Sequence, residues 1–267
     1  MKSIEDYKEN ILKEGLRRAV HYSSASRVLY DDLSNYVLNK KFVKCRDIIR
    51  LTKNMHKGER CFLIATGPSI NKVNLDLLKN EVVVGVNTAY NLGVDFDYFV
   101  VSDRIIWDVY KDEIMDIDAY LILGYVASRH YLNKNNCPED ILIFKGKKTI
   151  SENNCFPKDM SEYIYVDAPT VVYIALQILY YLGFKEVYLL GCDCNYKIGH
   201  FDDLTFVETD KIHKDDKKEI EFWDKVFRGY EVCKKEYEND NRKIYNCTIG
   251  GKLEIFERKK LEEVIHG

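Results

Sequence analysis

Cys61-Phe62-Leu63-Ile64-Ala65-Thr66-Gly67-Pro68-Ser69-Ile70 is the stretch whose reading decides the fold. An apolar run that stops at Thr-Gly-Pro-Ser and then turns amphipathic (Val73, Leu75, Leu77, Leu78) predicts a buried parallel strand, a tight turn and a helix. Gly67 would let the backbone approach a ligand closely, Pro68 fixes φ, and Ser69 can cap the helix. Unpaired N–H groups and the positive end of a helix dipole would then face outward, and an anion is their natural occupant. The same four residues also suit an ordinary strand-to-helix turn, since short glycine motifs match by chance.

Working outward, the runs Glu81 to Asn87, Tyr98 to Asp103, Ala119 to Gly124 and Ile141 to Phe144 are near-continuously apolar, as strands covered by helices on both faces must be. Polar residues stand where these runs end. In open α/β sheets ligands bind beyond the carboxyl ends of the strands, which sends Thr66, Asn87, Ser102 and Asp103 to one crevice. Lys145 to Met160 is polar and without period, a loop or lid. Thr170 through Leu182 is the strongest helix signal, opened by Pro169-Thr170, closed by Gly183, and interrupted in its apolarity only by Gln177. A strand from Glu186 to Asp193 leads to Asn195-Tyr196-Lys197-Ile198-Gly199-His200-Phe201. A charged, solvated loop (202–216), an amphipathic helix (217–239), a strand from Lys243 to Thr248 and a Gly250-Gly251 turn close the chain.

The expectation is an α/β fold: a Rossmann-like, mostly parallel sheet flanked by helices, occupying residues 58–267. Residues 1–57 show helical periodicity and no strand signal, and are read as an N-terminal helical extension of two or three helices. Such helices serve packing or self-association, so a homo-oligomer formed through them is the partner they suggest.

With 40 basic against 43 acidic residues and a net charge of −3, the chain has no global attraction to nucleic acid or anionic membranes. Phosphate recognition must be local. The charged start of the chain carries no signal-peptide pattern, and the apolar stretch from Val171 to Leu182 is too short to span a bilayer. The expected location is the cytoplasm, with any membrane contact peripheral. Eight dispersed cysteines without a C-x-x-C pair argue against structural zinc and read as small buried residues. His130 and His213 have weak context and are read as surface residues.

Three stretches taken together, Ala65 to Ile70, Val86-Asn87-Thr88-Ala89-Tyr90 and Thr170 through Asp193, resemble bacterial sialyltransferases that use CMP-activated sialic acid. With Ile244 to Thr248 and Leu253 to Phe256 added, the pattern is similar to a broad group of surface-glycan proteins. That group is related to motility-associated flagellin glycosyltransferases and to archaeal 6-hydroxymethylpterin diphosphokinases. The resemblance covers residues 58 to about 258 and leaves the N-terminal helices unmatched. It implies that Gly67, Pro68 and Ser69 lie beside a nucleotide, that Asn87 hydrogen-bonds it, and that Ser102 or Asp103 makes the next strand-end contact. Thr170 would start the buried helix facing the nucleotide. Thr66 stands where those enzymes usually carry Asn, keeping a hydroxyl but not an amide. The histidine of a Gly-His pair is the general base in the resembled enzymes, and Gly199-His200 is the match here.

The implied activity is transfer of a sugar from a CMP-sugar donor, a sialic-acid-like sugar, to a glycan or protein acceptor on the bacterial surface, with no metal or other cofactor required. Backbone N–H groups at Thr66 to Ser69 and the Tyr196 hydroxyl would neutralise the leaving phosphate, while His200 takes the acceptor's proton. The alternative is an ATP-dependent diphosphokinase, in which Asp103 and Asp193, at adjacent strand ends, would hold Mg²⁺. Under the structural reading Asp193 ties down its own turn. A third reading is a non-catalytic glycan-assembly protein that has kept the nucleotide fold.

Overall fold

The structure is a computed structural model that describes residues 24–136, 139–148, 155–195 and 216–267. Helix α1 (Ser24–Leu51) precedes strands β1 (Arg60–Ile64), β2 (Val83–Val86) and β3 (Tyr98–Val101). Helix α2 (Arg104–Met115), strand β4 (Tyr120–Leu123), helix α3 (Tyr125–Lys134) and strand β5 (Ile141–Ile143) continue the winding. Two short strands, β6 (Gly146–Lys147) and β7 (Ile164–Tyr165), form a separate parallel pair. Then come α4 (Val171–Leu182), β8 (Glu186–Leu190), α5 (Asp216–Asn239), β9 (Lys243–Asn246), β10 (Glu257–Arg258) and α6 (Leu261–His266).

The sheet order is β10-β9-β8-β1-β2-β3-β4-β5, and every pairing in it is parallel. The chain winds from β1 outward to β5, then returns to lay β8 on the other flank of β1. The strand order therefore reverses between β1 and β8, the point at whose carboxyl ends open α/β sheets bind their ligands.

Side-chain alternation along each strand builds two cores, one on each face of the sheet. Cys61, Leu63, Val84, Val86, Val100, Ile122, Val187 and Leu189 share a cluster with α4 and α5. Phe62, Ile64, Val83, Phe99, Val101, Leu121, Leu123 and Leu190 share another with α1, α2, α3 and α6. The result is the expected helix–sheet–helix sandwich. Helix α1 buries Leu38, Phe42 and Cys45 in the second cluster and Ile49 in the first, and it packs along β5, so it seals that sheet edge.

Helix α4 follows its local signals closely. The Thr170 side chain accepts from the Val172 amide, and Gly183 ends the helix in the left-handed region at φ 102°. The helix is buried nearly all round, and each fully buried leucine or isoleucine on it contributes about 2 kcal/mol. Gln177 at its centre is 0% exposed. Its carbonyl accepts from Tyr165 N at 2.9 Å and its amide donates to Tyr165 O at 2.8 Å, so it pairs with β7 as a neighbouring strand would. The segment read as a period-free loop from Lys145 to Met160 thus opens with β6, which pairs with the strand that Gln177 clips. No disulfide joins the described cysteines, and all of them except Cys155 and Cys194 are buried.

Candidate functional site

The register places the polar strand ends side by side. Ile64 faces Leu190 on one flank and Gly85 on the other, while Val86 faces Val100. Two residues beyond Ile64, Leu190 and Gly85, past the strand ends, come Thr66, Cys192 (with Asp193 next) and Asn87. Of the four ends expected at one height, Thr66 is level with Asn87 and Ser102 stands one residue beyond it in the strand register, with Asp103 following.

The turn after β1 differs from the sequence reading. Gly67 leads into a short 3₁₀ helix, Pro68–Lys72, followed by another at Leu75–Leu78, where an amphipathic α-helix was expected. No side chain caps Pro68–Lys72, and Ser69 is not its N-cap. Instead the Ser69 hydroxyl donates to Asp193 Oδ2 at 2.7 Å and the Ser69 amide to the same oxygen at 3.3 Å. The Gly67 amide donates to the Gly191 carbonyl at 2.8 Å. These N–H groups, assigned to an incoming anion by the sequence pattern, are engaged within the protein. Gly67 itself is needed for that closure: a β-carbon there would lie 2.0 Å from Asp193 Oδ2 and 2.4 Å from Gly191 O. Its φ of −68° is open to any residue, so the requirement is one of space.

Asp193 is braced from behind. Its carbonyl accepts from the Lys252 amide at 2.7 Å, and the Cys192 amide donates to Thr248 Oγ1 at 3.0 Å. Thr248 is oriented in turn by buried Asn246, whose Oδ1 accepts from Thr248 N at 3.0 Å and whose Nδ2 donates to Leu253 O at 2.7 Å. Asn246 and Thr248 had no role in the sequence reading. The available signal was two polar residues at the end of an apolar strand, the same pattern that singled out Asn87.

On the β2 side the arrangement is the reverse. Asn87 adopts φ 49°, in the left-handed region, and its amide donates to Val100 O at 3.0 Å. Its side-chain oxygen is buried with no hydrogen-bond partner among the described residues. A strained residue holding an unsatisfied buried acceptor is costly in isolation, by about 1–3 kcal/mol for the acceptor alone. Thr66 and Ser102 are buried beside it, at 9% and 7% exposure.

Asp103 caps α2, its Oδ1 accepting from Ile105 N at 2.6 Å and Ile106 N at 3.3 Å. It does not lie at a strand end adjacent to Asp193, because β1 and β2 run between β8 and β3. Three interstrand steps of roughly 4.8 Å put the two strand ends about 14 Å apart, whereas magnesium binds its oxygens at about 2 Å. The two carboxylates therefore do not fit a shared Mg²⁺. Among the described residues no group of at least three His, Cys, Asp or Glu side chains could hold a metal ion.

Thr170, the N-cap of α4, hydrogen-bonds the Tyr230 hydroxyl. Burial raises the Tyr230 phenol well above its ordinary range. Burial, reinforced by the Asp193 charge, pushes the Cys194 thiol up to about 12. Both groups stay protonated at neutral pH and neither is a nucleophile. Cys194 also has a positive φ, 47°, so two non-glycine residues in the crevice loops are strained. His130, read as a surface residue, is instead 14% exposed in its side chain, with Nε2 2.7 Å from Asp108 between α2 and α3. Tyr196, His200, His213 and the charged segment up to residue 215 that the sequence reads as a loop lie outside the described residues.

The family described as 6-hydroxymethylpterin diphosphokinase MptE-like matches residues 33–199, which takes in most of α1 as well as the first eight strands. No curated protein matches the chain. Among solved structures, the chain is similar to the sialyltransferase CstII from Campylobacter jejuni, in complex with the substrate analogue cytidine-5'-monophosphate. The TM-score is 0.48 at 14% identity, over 76% of this chain and 85% of that one. A single-residue variant of sialyltransferase CST-II in complex with CMP aligns with a TM-score of 0.39 at 12% identity, over 70% and 80% of the two chains.

Proposed function

We propose, from the premise that the chain belongs to the 6-hydroxymethylpterin diphosphokinase MptE-like family, that it is a glycosyltransferase. Its donor is a nucleotide-activated sugar, a CMP-linked acidic sugar of the sialic-acid kind, and its acceptor is a bacterial surface glycan or glycoprotein. One observation carries this reading: the buried side-chain oxygen of Asn87, without a hydrogen-bond partner among the described residues and held in a strained conformation at the end of β2. A lone acceptor calls for a ligand N–H or O–H, and cytosine offers an exocyclic amino group where uracil offers another acceptor.

The residues this reading assigns to the donor are Thr66, Gly67, Pro68 and Ser69 in the turn after β1, Asp193 after β8, Ser102 and Asp103 after β3, and Thr170 at the start of α4. With the amides of Gly67 and Ser69 engaged by Gly191 and Asp193, neutralisation of the leaving phosphate falls to hydroxyl donors, and Tyr196 is the one assigned. His200 takes the proton of the acceptor hydroxyl, a role worth on the order of 10²–10⁴ in rate. The protein works in the cytoplasm, and its N-terminal helices mediate self-association.

The second reading, an ATP- and magnesium-dependent diphosphokinase, is favoured by the family description. Against it stands the separation of Asp103 from Asp193 by two strands, which leaves the magnesium to carboxylates other than that pair. Thermal denaturation with CMP, UDP, GDP and ATP, each with and without Mg²⁺, separates the readings. Sugar transfer predicts stabilisation by CMP without metal, by about 2.7 kcal/mol at a hundred times its Kd. Stabilisation by ATP only with Mg²⁺ would transfer the case to the diphosphokinase, and no response to any nucleotide would leave a non-catalytic assembly protein. Full transfer activity in His200→Ala would remove that residue from the base role.

A further inference from the structure

The chain as a whole is slightly acidic, yet residues 40–57 carry seven basic side chains against one acidic, Asp47. Lys41 donates to Leu132 O and Asn135 O, both at 2.8 Å, Arg46 pairs with Glu162, and Arg50 pairs with Asp47 and Asp159, so these three are used within the protein. Lys44, Lys53 and Lys57 are exposed and form no ion pair among the described residues. Between them stand the aliphatic side chains of Val43, Leu51 and Met55, 48%, 84% and 51% exposed. A helix turns by about 100° per residue, so Val43, Lys44 and Leu51 share an arc of about 100° on the outer side of α1. The turn that follows continues the pattern. The amides of Asn54, His56 and Gly58 donate to Tyr181 O, Leu182 O and Gly183 O at 3.0, 2.9 and 3.4 Å, taking carbonyls that the end of α4 leaves unbonded. The His56 ring stacks on Phe184 at 4.4 Å. With the backbone anchored at every second residue, Lys53, Met55 and Lys57 are held out in solvent. Past Met55, whose sulfur accepts from the Tyr98 hydroxyl, stand the carboxylates of Glu59 and Asp97, which bound the surface on that side.

We propose that the end of α1 and its turn dock on an anionic lipid surface, with Val43, Leu51 and Met55 entering the headgroup boundary and Lys44, Lys53 and Lys57 meeting the lipid phosphates. Each half of the pattern argues against another occupant. Nucleic acid would engage the lysines, but its phosphate backbone gives an aliphatic side chain nothing to leave water for. A second copy across a two-fold axis through this face would set the three lysines against their own counterparts. Self-association through the helical extension is therefore not expected to use this end of α1. An anionic bilayer suits both halves, because aliphatic tips leave water while ammonium groups stay at the headgroup level. The anchored turn already holds the docking geometry, so little ordering opposes the contact. The inference does not depend on which nucleotide, if any, the protein binds.

The test is flotation of the full chain with two kinds of vesicle, phosphatidylcholine alone and phosphatidylcholine with about one third phosphatidylglycerol. At roughly fivefold per lysine, the anionic vesicles are expected to bind on the order of a hundredfold more tightly. Raising the salt tenfold should shrink that preference, a measurement that needs no variant. Leu51→Ser is expected to weaken binding to the anionic vesicles by about tenfold. Lys53→Glu combined with Lys57→Glu should erase the preference. All three side chains are exposed, so both variants should melt at the wild-type temperature. Binding to neither vesicle, equal binding to both, or full binding by Leu51→Ser overturns the proposal. Retention on poly(U) without vesicle binding assigns the surface to nucleic acid, and a dimer in sedimentation velocity that Leu51→Ser dissociates assigns it to a second copy; either result overturns the proposal as well.

Discussion

The two flanks of the crevice are built on opposite principles. On the β1–β8 side every polar group named is satisfied within the protein: Gly67 N by Gly191 O, Ser69 by Asp193, Cys192 N by Thr248, and Thr248 by Asn246. On the β2 side Asn87 keeps a strained backbone and an unsatisfied oxygen. The first flank is a stabilising joint and the second a place where stability is surrendered. The difference teaches that the glycine turn, which carries the fold motif, is not where a ligand gains most of its hydrogen bonds.

The comparison can be broken most sharply at Gly67. In Gly67→Ala the new methyl would collide with a carboxylate and a backbone carbonyl, and loss of about 3 kcal/mol is expected in urea unfolding. A loss below 1 kcal/mol would mean that the joint is loose. Ser69→Ala removes a hydroxyl that donates to a charged acceptor, and about 2 kcal/mol should go with it. If the variant unfolds at the wild-type denaturant concentration, backbone pairing alone holds the turn. Asn87→Gly sharpens the contrast in the other direction. It relieves the positive φ and deletes the orphan acceptor, which outweighs the entropy of glycine, so the unliganded protein should gain about 1 kcal/mol while losing nucleotide affinity. A destabilised Asn87→Gly would show that the side chain already has a structural task.

Helix α4 was legible to the residue because its determinants are local: Thr170 accepts from an amide two residues on, and Gly183 needs only its own φ. Strands β1 to β5, β8 and β9 were legible for the same reason, since a continuous apolar run is a local property, whereas the two-residue strands β6, β7 and β10 carry no such run. The joint after β1 was not, because Ser69 makes its choice between capping a helix and binding Asp193 through a partner 124 positions away. Strand order was equally hidden. A chain can be parsed into strands without revealing that β8 returns beside β1, and that one fact separates Asp103 from Asp193. Gln177 read as a flaw in an apolar helix because nothing nearby in sequence announces Tyr165 as its partner. His130 was misjudged similarly, its burial depending on how α3 meets Asp108 on α2.

The all-parallel sheet also has a consequence for how the chain is made. With no hairpin between consecutive main-sheet strands, no pair can zip up locally, and the middle of the sheet must wait for its most distant member. Strand β1 finds its second neighbour only when Arg60 to Ile64 can align with Glu186 to Leu190. During synthesis, therefore, Cys61 to Ile64, wholly interior in the finished molecule, presents an open hydrogen-bonding edge until β8 leaves the ribosome. A fragment that stops before Glu186 retains that edge permanently, and aggregation is its expected fate.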